Sequence, residues 1–373
     1  MTLSISDSAQ RFQLAADWYR DRVLHDPLTS QFQTLKDKRI CLMGAAGQVG
    51  SHFLTKCYEL GFDPQNIDLN DNLSLGQKDN LIPSFRAQLD VRSHQDYASD
   101  PPHRPDIVVF VGGRSSAPHF ETLADVLEEI HIWETVLNWC TAEKIRLIFA
   151  STSSLCKKRP SLENQLVWPG SLYELCKLMM ENMAIQQALE NQLELQICRF
   201  FSVYGVTESH KGKYGNLYTQ LLWHAIDQNP FELWGQENHF APGEQTRDII
   251  FAPDVVRAIM HLLTLPSPTP KLDDISDLIY NIGRGEPLTV REMVNHVSEV
   301  VPASQTPIIK EVEVPPIINN YVVNTWGDPG KLEASGYQAL FSDNVENLKF
   351  IHGCLSQDPQ EYWQLIEQIR TMA

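Results

Sequence analysis

The chain has few cysteines, no long apolar run and a shortage of positive charge, and each shortage removes a class of protein. Its 7 cysteines, at 41, 57, 140, 156, 176, 198 and 354, form no CxxC pair, and several lie in apolar stretches. Such thiols are expected to be buried and reduced, which fits a cytoplasmic protein and argues against a disulfide scaffold. No apolar run approaches the roughly 20 residues that cross a bilayer, and residues 1–11 lack a basic-then-apolar leader, so no membrane association is expected. Lysine and arginine number 30 against 47 acidic residues, a formal charge of -17. That balance repels nucleic acid and leaves room only for a local pocket that takes a small anion. The 12 histidines show no HxxxH or HExxH spacing, so no metal is expected, and lone ones such as His224 and His261 read as helix residues.

What is present is a long chain of 373 residues, 43% hydrophobic, enough for one large or two unequal domains. Residues 1–36 mix Leu14, Trp18, Tyr19 and Leu24 with many charges and break at Pro27 and near Ser30, the pattern of a helical extension. From Lys38 the texture changes to short apolar runs, RICLMG, NIDLND, DIVVFVGG and RLIFAST, separated by segments of helical length. This alternation predicts an α/β fold, a doubly wound parallel sheet with helices on both faces. Residues 37–205 are expected to form the first domain, with returns from about 246–265, and 206–373 mainly a smaller α/β, substrate-binding domain. The Pro-rich LPSPTPK (265–271) reads as a connector.

Directly after the run RICLM comes Gly44-Ala-Ala-Gly47-Gln-Val-Gly50, then the amphipathic SHFLTKCYELGF. Strand, glycine loop and helix in this order suit a pyrophosphate, because glycine lets backbone approach closely and the helix N-terminus offers unpaired N–H groups. Gly44, Ala46, Gly47, Gln48 and Val49 are therefore candidate cofactor contacts, although the G-x-x-G-x-x-G spacing differs from the common G-x-G-x-x-G. A tight turn alone would also use glycine. Asp71 ends the next apolar run, where a carboxylate can accept from an adenosine ribose and would repel a 2′-phosphate; NAD is expected rather than NADP.

Tyr173-Glu-Leu-Cys-Lys177 puts a phenol and an ammonium on one helical face, one turn apart. A nearby cation favours the phenolate, so Tyr173 is expected to serve as a base tuned by Lys177. Upstream, RLIFA runs into Ser151-Thr152-Ser153-Ser154, whose hydroxyls emerge at the carboxyl end of a parallel strand, where open α/β sheets bind their ligands. Seen singly, these features also fit a surface helix pair and a helix cap.

Taken together, they resemble the extended short-chain dehydrogenases of the NAD-dependent epimerase/dehydratase family. The resemblance covers roughly residues 38–340, through GAAGQVG, DNLSLGQKDNL (71–81), LDV, IFASTSS, YELCK, RFFSVYG (199–205), RDIIFAPDVVRA (247–258), YNIGRGEPLT and WGDPGKLEASGY. It implies a Rossmann domain holding NAD, a carboxyl-side domain gripping a nucleotide diphosphate sugar, and a homodimer built on two helices per subunit, the Tyr173 helix among them. It also implies roles for Thr152 as the substrate hydroxyl, Tyr173 as base and Lys177 on the ribose. Arg247 would contact substrate phosphate and Asp90 the adenine. Asn72, Val91, Val111 and Gly112 complete the implied cofactor contacts, and Arg114, Ser153 and Ser202 the substrate ones.

Dehydratases of this kind carry an Asp-Glu pair just after their threonine, where this chain has Ser153 and Ser154. RFFSVYG is similar to the motif of 4-epimerases, including uronic-acid epimerases, so a 4-epimerase is expected. The alternatives are a dehydratase, a dehydrogenase or reductase, or an NAD-binding scaffold without turnover. Several positions depart from the family. Phe110–Gly113 (FVGG) replaces HLAA, which is expected to widen the space near the nicotinamide, and Cys156-Lys157 replaces Tyr-Gly. His131 stands where many relatives have asparagine. Residues 311–330 hold no lysine or arginine for a second phosphate contact, leaving Arg114, Lys157 and Lys158 as alternative anion contacts.

Overall fold

The apolar runs after residue 38 are too short for helices and too uniformly apolar for a half-exposed sheet; Ile40–Met43 and Ile107–Phe110 are buried at every position. The computed structural model describes residues 5–237, 239–315, 322–356 and 359–372. Its strands are β1 (Ile40–Met43), β2 (Ile67–Asn70), β3 (Leu89–Asp90), β4 (Ile107–Phe110), β5 (Arg146–Thr152), β6 (Leu195–Phe200), β7 (Ser202–Tyr204), β8 (Pro230–Gly235), β9 (Thr246–Phe251), β10 (Ile279–Ile282), β11 (Pro287–Thr289), β12 (Ile308–Glu313) and β13 (Asn324–Thr325). The helices are α1 (Ile5–Leu24), α2 (Thr29–Phe32), α3 (Gln48–Glu59), α4 (His94–Ser99), α5 (Leu123–Ala142), α6 (Leu172–Asn191), α7 (Leu217–Ile226), α8 (Ala252–Thr264), α9 (Val290–Val300), α10 (Gly330–Ala334), α11 (Asn344–Leu355) and α12 (Pro359–Met372).

Seven parallel strands form the main sheet in the order β10-β6-β5-β4-β1-β2-β3. This is the doubly wound Rossmann arrangement, with strand order reversing between β1 and β4, and there the carboxyl ends of the strands open a crevice. One core packs α4, α5 and α6 on one face around Trp133, Phe110 and Phe149; a larger one joins α3 and α8 on the other. The returns to this sheet and its helical layers come from α8 and β10, whereas Thr246–Phe251 goes to a smaller sheet, β11-β9-β13, with β7 paired to β9. β8 and β12 pair separately.

The amino-terminal extension is part of this body. α1 packs on α11 and α12, and Tyr19 stacks on Phe350 with ring centroids 4.4 Å apart and on Phe341 at 5.4 Å. Beyond it, Asp26 accepts from Arg257 Nε at 2.8 Å and Nη2 at 2.9 Å, with Lys56 Nζ at 3.3 Å. Arg257 also donates to Asp254, whose carboxylate accepts from the N–H groups of Leu340 and Phe341. Burial alone would raise the Asp26 carboxyl, but the two cations outweigh it and hold the group below its usual range.

Because these charges are buried, removing one strands the others. Asp26→Ala is expected to cost about 3–5 kcal/mol of stability, read as a lowered midpoint in urea; an unchanged midpoint would show that the network contributes nothing net.

Candidate active site

At the carboxyl end of β1 the chain turns through Gly44, whose φ of 88° is left-handed. A Cβ there would lie 2.5 Å from Gly112 Cα, and one on Gly50 would lie 2.0 Å from Gly44 O, so β4, the turn and α3 meet backbone to backbone. Gly44 N and Ala45 N both donate to Asn70 O, and Val111 N donates to Met43 O. Gly47 caps α3 with extended backbone and no side-chain bond, leaving the first N–H groups of the helix, at Gln48 and Val49, for a ligand. Gln48 Nε2 is buried without a hydrogen-bond partner among the described residues. An uncapped helix end beside an unmet donor, framed by glycines, fits the pyrophosphate of NAD.

Asp71 is buried and bonded to the turn: Oδ2 accepts from Ala46 N at 2.9 Å and Oδ1 from Leu73 N at 2.8 Å. Burial raises its pKa against those N–H groups, and each oxygen keeps capacity for a further donor such as a ribose hydroxyl. Asn72 turns to its own loop, accepting from Ser74 N and Oγ. Gln77 N and Asn80 Nδ2 donate to Ala46 O, so residues 73–80 close over the turn. Asp90 meets this cradle through its carbonyl, which accepts from Asp71 N; its carboxylate is forked onto Arg92 and held below its usual pKa by it. The neighbouring Val91 is exposed.

Thr152 closes β5 and Tyr173 opens α6, whose start is fixed by Ser171 Oγ accepting from Glu174 N. Thr152 Oγ1 lies 2.8 Å from Ser154 Oγ, and its hydroxyl is near enough to Tyr173 to favour the ionised phenol. Lys177 is buried, donating to Ala150 O at 3.4 Å, with its ammonium 5.3 Å from the centre of the Phe149 ring. Thr152, Tyr173 and Lys177 therefore converge. Their protonation differs from the expectation of an acidified phenol: burial pushes Tyr173 up to about 12, only partly offset by the Thr152 hydroxyl, and lowers Lys177. Desolvation of the phenolate, not the cation one turn away, dominates its protonation.

Toward the second domain, Ser153 begins a 3-10 turn and Ser202 accepts from Asn216 Nδ2 at 2.9 Å. Arg247 on β9 donates to the carbonyls of Thr246 and Val323. Arg114 is committed elsewhere, to Asp125 O and Glu128, with Phe120 between it and Tyr173. Lys157 is bound to Glu174.

Three further residues reach the site. Burial, and repulsion from Arg247, lower the Arg159 pKa, and Arg159 donates to Asn324 O at 2.8 Å, bringing a cation against the 311–330 stretch that holds none. Lys211 reaches Gln48 Oε1 at the start of α3, an end of the helix dipole that repels cations unless an anion joins them. Glu129 of α5 lies against Gly113, while His131 is exposed and bonded to Gln95. FVGG thus makes room for side chains: Gly112 admits the His94 ring and Gly113 the Glu129 carboxylate. That glycine pair was the sequence signal for Glu129; Arg159 and Lys211 left none.

A family model described as NAD dependent epimerase/dehydratase family matches residues 40–283. Among solved structures, the chain is similar to a UDP-N-acetylglucosamine 4-epimerase from Methanobrevibacter ruminantium, at 19% identity and TM-score 0.72, covering 87% of this chain and 100% of that one. It is similar to a UDP-glucose 4-epimerase from Thermotoga maritima, at 23% identity and TM-score 0.72, with 85% and 98% covered. A Thermus thermophilus UDP-glucose 4-epimerase complexed with NAD matches at 20% identity and TM-score 0.70, with 84% and 97% covered. These likenesses are of fold.

Lys211→Ala is expected to weaken NAD binding roughly tenfold, the scale of one charge-assisted hydrogen bond. Calorimetric titration of NAD measures this directly, and an unchanged affinity would take Lys211 away from the pyrophosphate.

Proposed function

The chain belongs to the NAD-dependent epimerase/dehydratase family, and we propose that within it the protein is a 4-epimerase of nucleotide diphosphate sugars. NAD is its cofactor, supplying a reversible hydride acceptor and, when oxidised, a positive charge over the site. The observation that carries the reading is the placing of Thr152 at the end of β5, with Tyr173 beside it and Lys177 bound to the same strand, where the next residues offer hydroxyls and no carboxyl.

Thr152 and Tyr173 can both hydrogen-bond one sugar carbinol oxygen. Tyr173 takes the hydroxyl proton as the carbinol becomes a ketone and returns it when the ketone is reduced on its other face. Lys177, anchored at Ala150 O, holds the cofactor ribose and adds positive potential. Elimination of a neighbouring hydroxyl needs an acid beside Thr152, and two carboxylates of α6, Glu174 and Glu181, are engaged with Lys157 and Arg199. Arg247 and Arg159 together supply the cationic grip for a diphosphate, and Ser153 and Ser202 supply hydroxyls to the sugar.

Incubated with UDP-glucose, UDP-N-acetylglucosamine and UDP-glucuronic acid, the protein is expected to convert one of them to its C4 epimer, followed by proton NMR. Tyr173→Phe should lower turnover by at least about 100-fold while NAD stays bound. Loss of water from the sugar would indicate a dehydratase, stoichiometric reduced nicotinamide a dehydrogenase, and silence throughout a scaffold. Since only ionised Tyr173 accepts the proton, kcat/KM should climb as pH rises through neutrality.

We propose a homodimer as well, supported by Leu123 and Leu127, exposed one turn apart on α5 where it packs beside α6. Leu127→Glu is expected to shift the sedimentation coefficient of the protein to that of a monomer; wild-type protein already sedimenting as a monomer refutes the dimer.

A further inference from the structure

The sequence offers Lys157 as an anion contact, but the fold uses it inside the protein. Its ammonium donates to Ser154 O at 2.8 Å and to Glu174 Oε2 at 2.5 Å. Ser154 is two residues past Thr152, and the turn between them is closed by Ser154 N donating to Thr152 Oγ1 at 3.2 Å. Glu174 is the residue after Tyr173, in the first turn of α6, where a carboxylate suits the helix dipole. Lys157 therefore joins the turn that carries Thr152 to the turn that carries Tyr173.

Both ends of the segment 157–170 meet on that carboxylate, since Gly170 N also donates to Glu174 Oε2. A Cβ on Gly170 would lie 3.3 Å from this oxygen and 3.6 Å from Lys157 Nζ, so a glycine there leaves the pair room to close. The middle of the segment is tied to the second domain: Arg159 Nε donates to Asn324 O, Ser161 N to Trp326 O, and Asp328 N to Ser161 O. Arg159 Nη1 turns back to Cys156 O, Lys158 O and Ser161 Oγ. Among the described residues, the cation paired with Glu174 is Lys157.

We propose that Lys157 and Glu174 are positioning residues, whose ion pair sets the spacing of Thr152 and Tyr173 and so the place of the sugar carbinol between them. The proposal rests on the reading of Thr152 and Tyr173 as the two hydroxyls on that carbinol. A pair whose lysine is open to water adds little to stability. Its effect is on geometry, because a displacement of about 1 Å between reacting groups costs on the order of 100-fold in rate.

Lys157→Met keeps the methylene stem and removes the ammonium. In the NAD-bound protein kcat should fall roughly tenfold to 100-fold while KM for the sugar nucleotide and the affinity for NAD hold, and Lys157→Arg should restore most of the loss. An undiminished kcat in Lys157→Met overturns the proposal, and so does a raised KM with kcat intact, the mark of an anion contact. The spacing itself is read without turnover. In deuterated protein carrying protonated threonine methyls and tyrosine rings, the nuclear Overhauser effect that both Tyr173→Phe and Thr152→Ser delete joins the two residues. It should weaken in Lys157→Met and recover in Lys157→Arg, and an effect of unchanged strength overturns the proposal. If no sugar nucleotide is turned over, the functional reading fails on its own and the spacing measurement still decides. Should Lys157→Met not fold, Glu174→Gln removes the charge from the other side and keeps an acceptor for Gly170 N. It should weaken the same Overhauser effect, and unchanged strength there again overturns the proposal.

Discussion

Where β1 meets β4, backbone lies against backbone, and the rest of the site follows from that absence of side chains. Gly44 has no room for a Cβ against Gly112, nor Gly50 for one against Gly44 O. The turn can therefore tighten enough to present the first N–H groups of α3 at the reversal of strand order. The neighbouring strand ends, β5 with Thr152 and β4 with Gly112-Gly113, then stand close to the same point. A larger residue at Gly44 or Gly50 would push α3 off the sheet and part the turn from the hydroxyls at the end of β5.

Most of the fold was legible because its signals are local. Four apolar runs became β1, β2, β4 and β5, the glycine loop entered α3, and Tyr173 and Lys177 came out on one helix. Other commitments were also written nearby: Asp90 is taken by Arg92 two residues on, and Arg114 by Asp125 and Glu128 at the start of the next helix. The pairings that complete the site were not readable, since they join distant segments: Arg159 with Arg247, Lys211 with Gln48, Glu129 with Gly113. Each depends on how loops of different origin lie over the sheet, and spacing carries no record of that. The raised pKa of Tyr173 belongs with these, because burial is decided by the whole fold.

Charge inside this protein is arranged in closed groups. Glu181 holds Arg199 and accepts from Ser151 of β5; Asp248 of β9 gathers the N–H groups of Arg284, Gly285 and Gly327. Such groups satisfy buried polar atoms and tie helix, strand and loop together.

The cluster around Asp26 joins the chain's earliest helix to residues near its end, since Arg257, Asp254 and the backbone at 340 and 341 all belong to it. During synthesis, then, α1 leaves the ribosome long before the aromatic rings and charges that seat it exist. It must wait, with Tyr19 and Trp18 uncovered, until the last helices emerge. A segment made early is among the last to find its place.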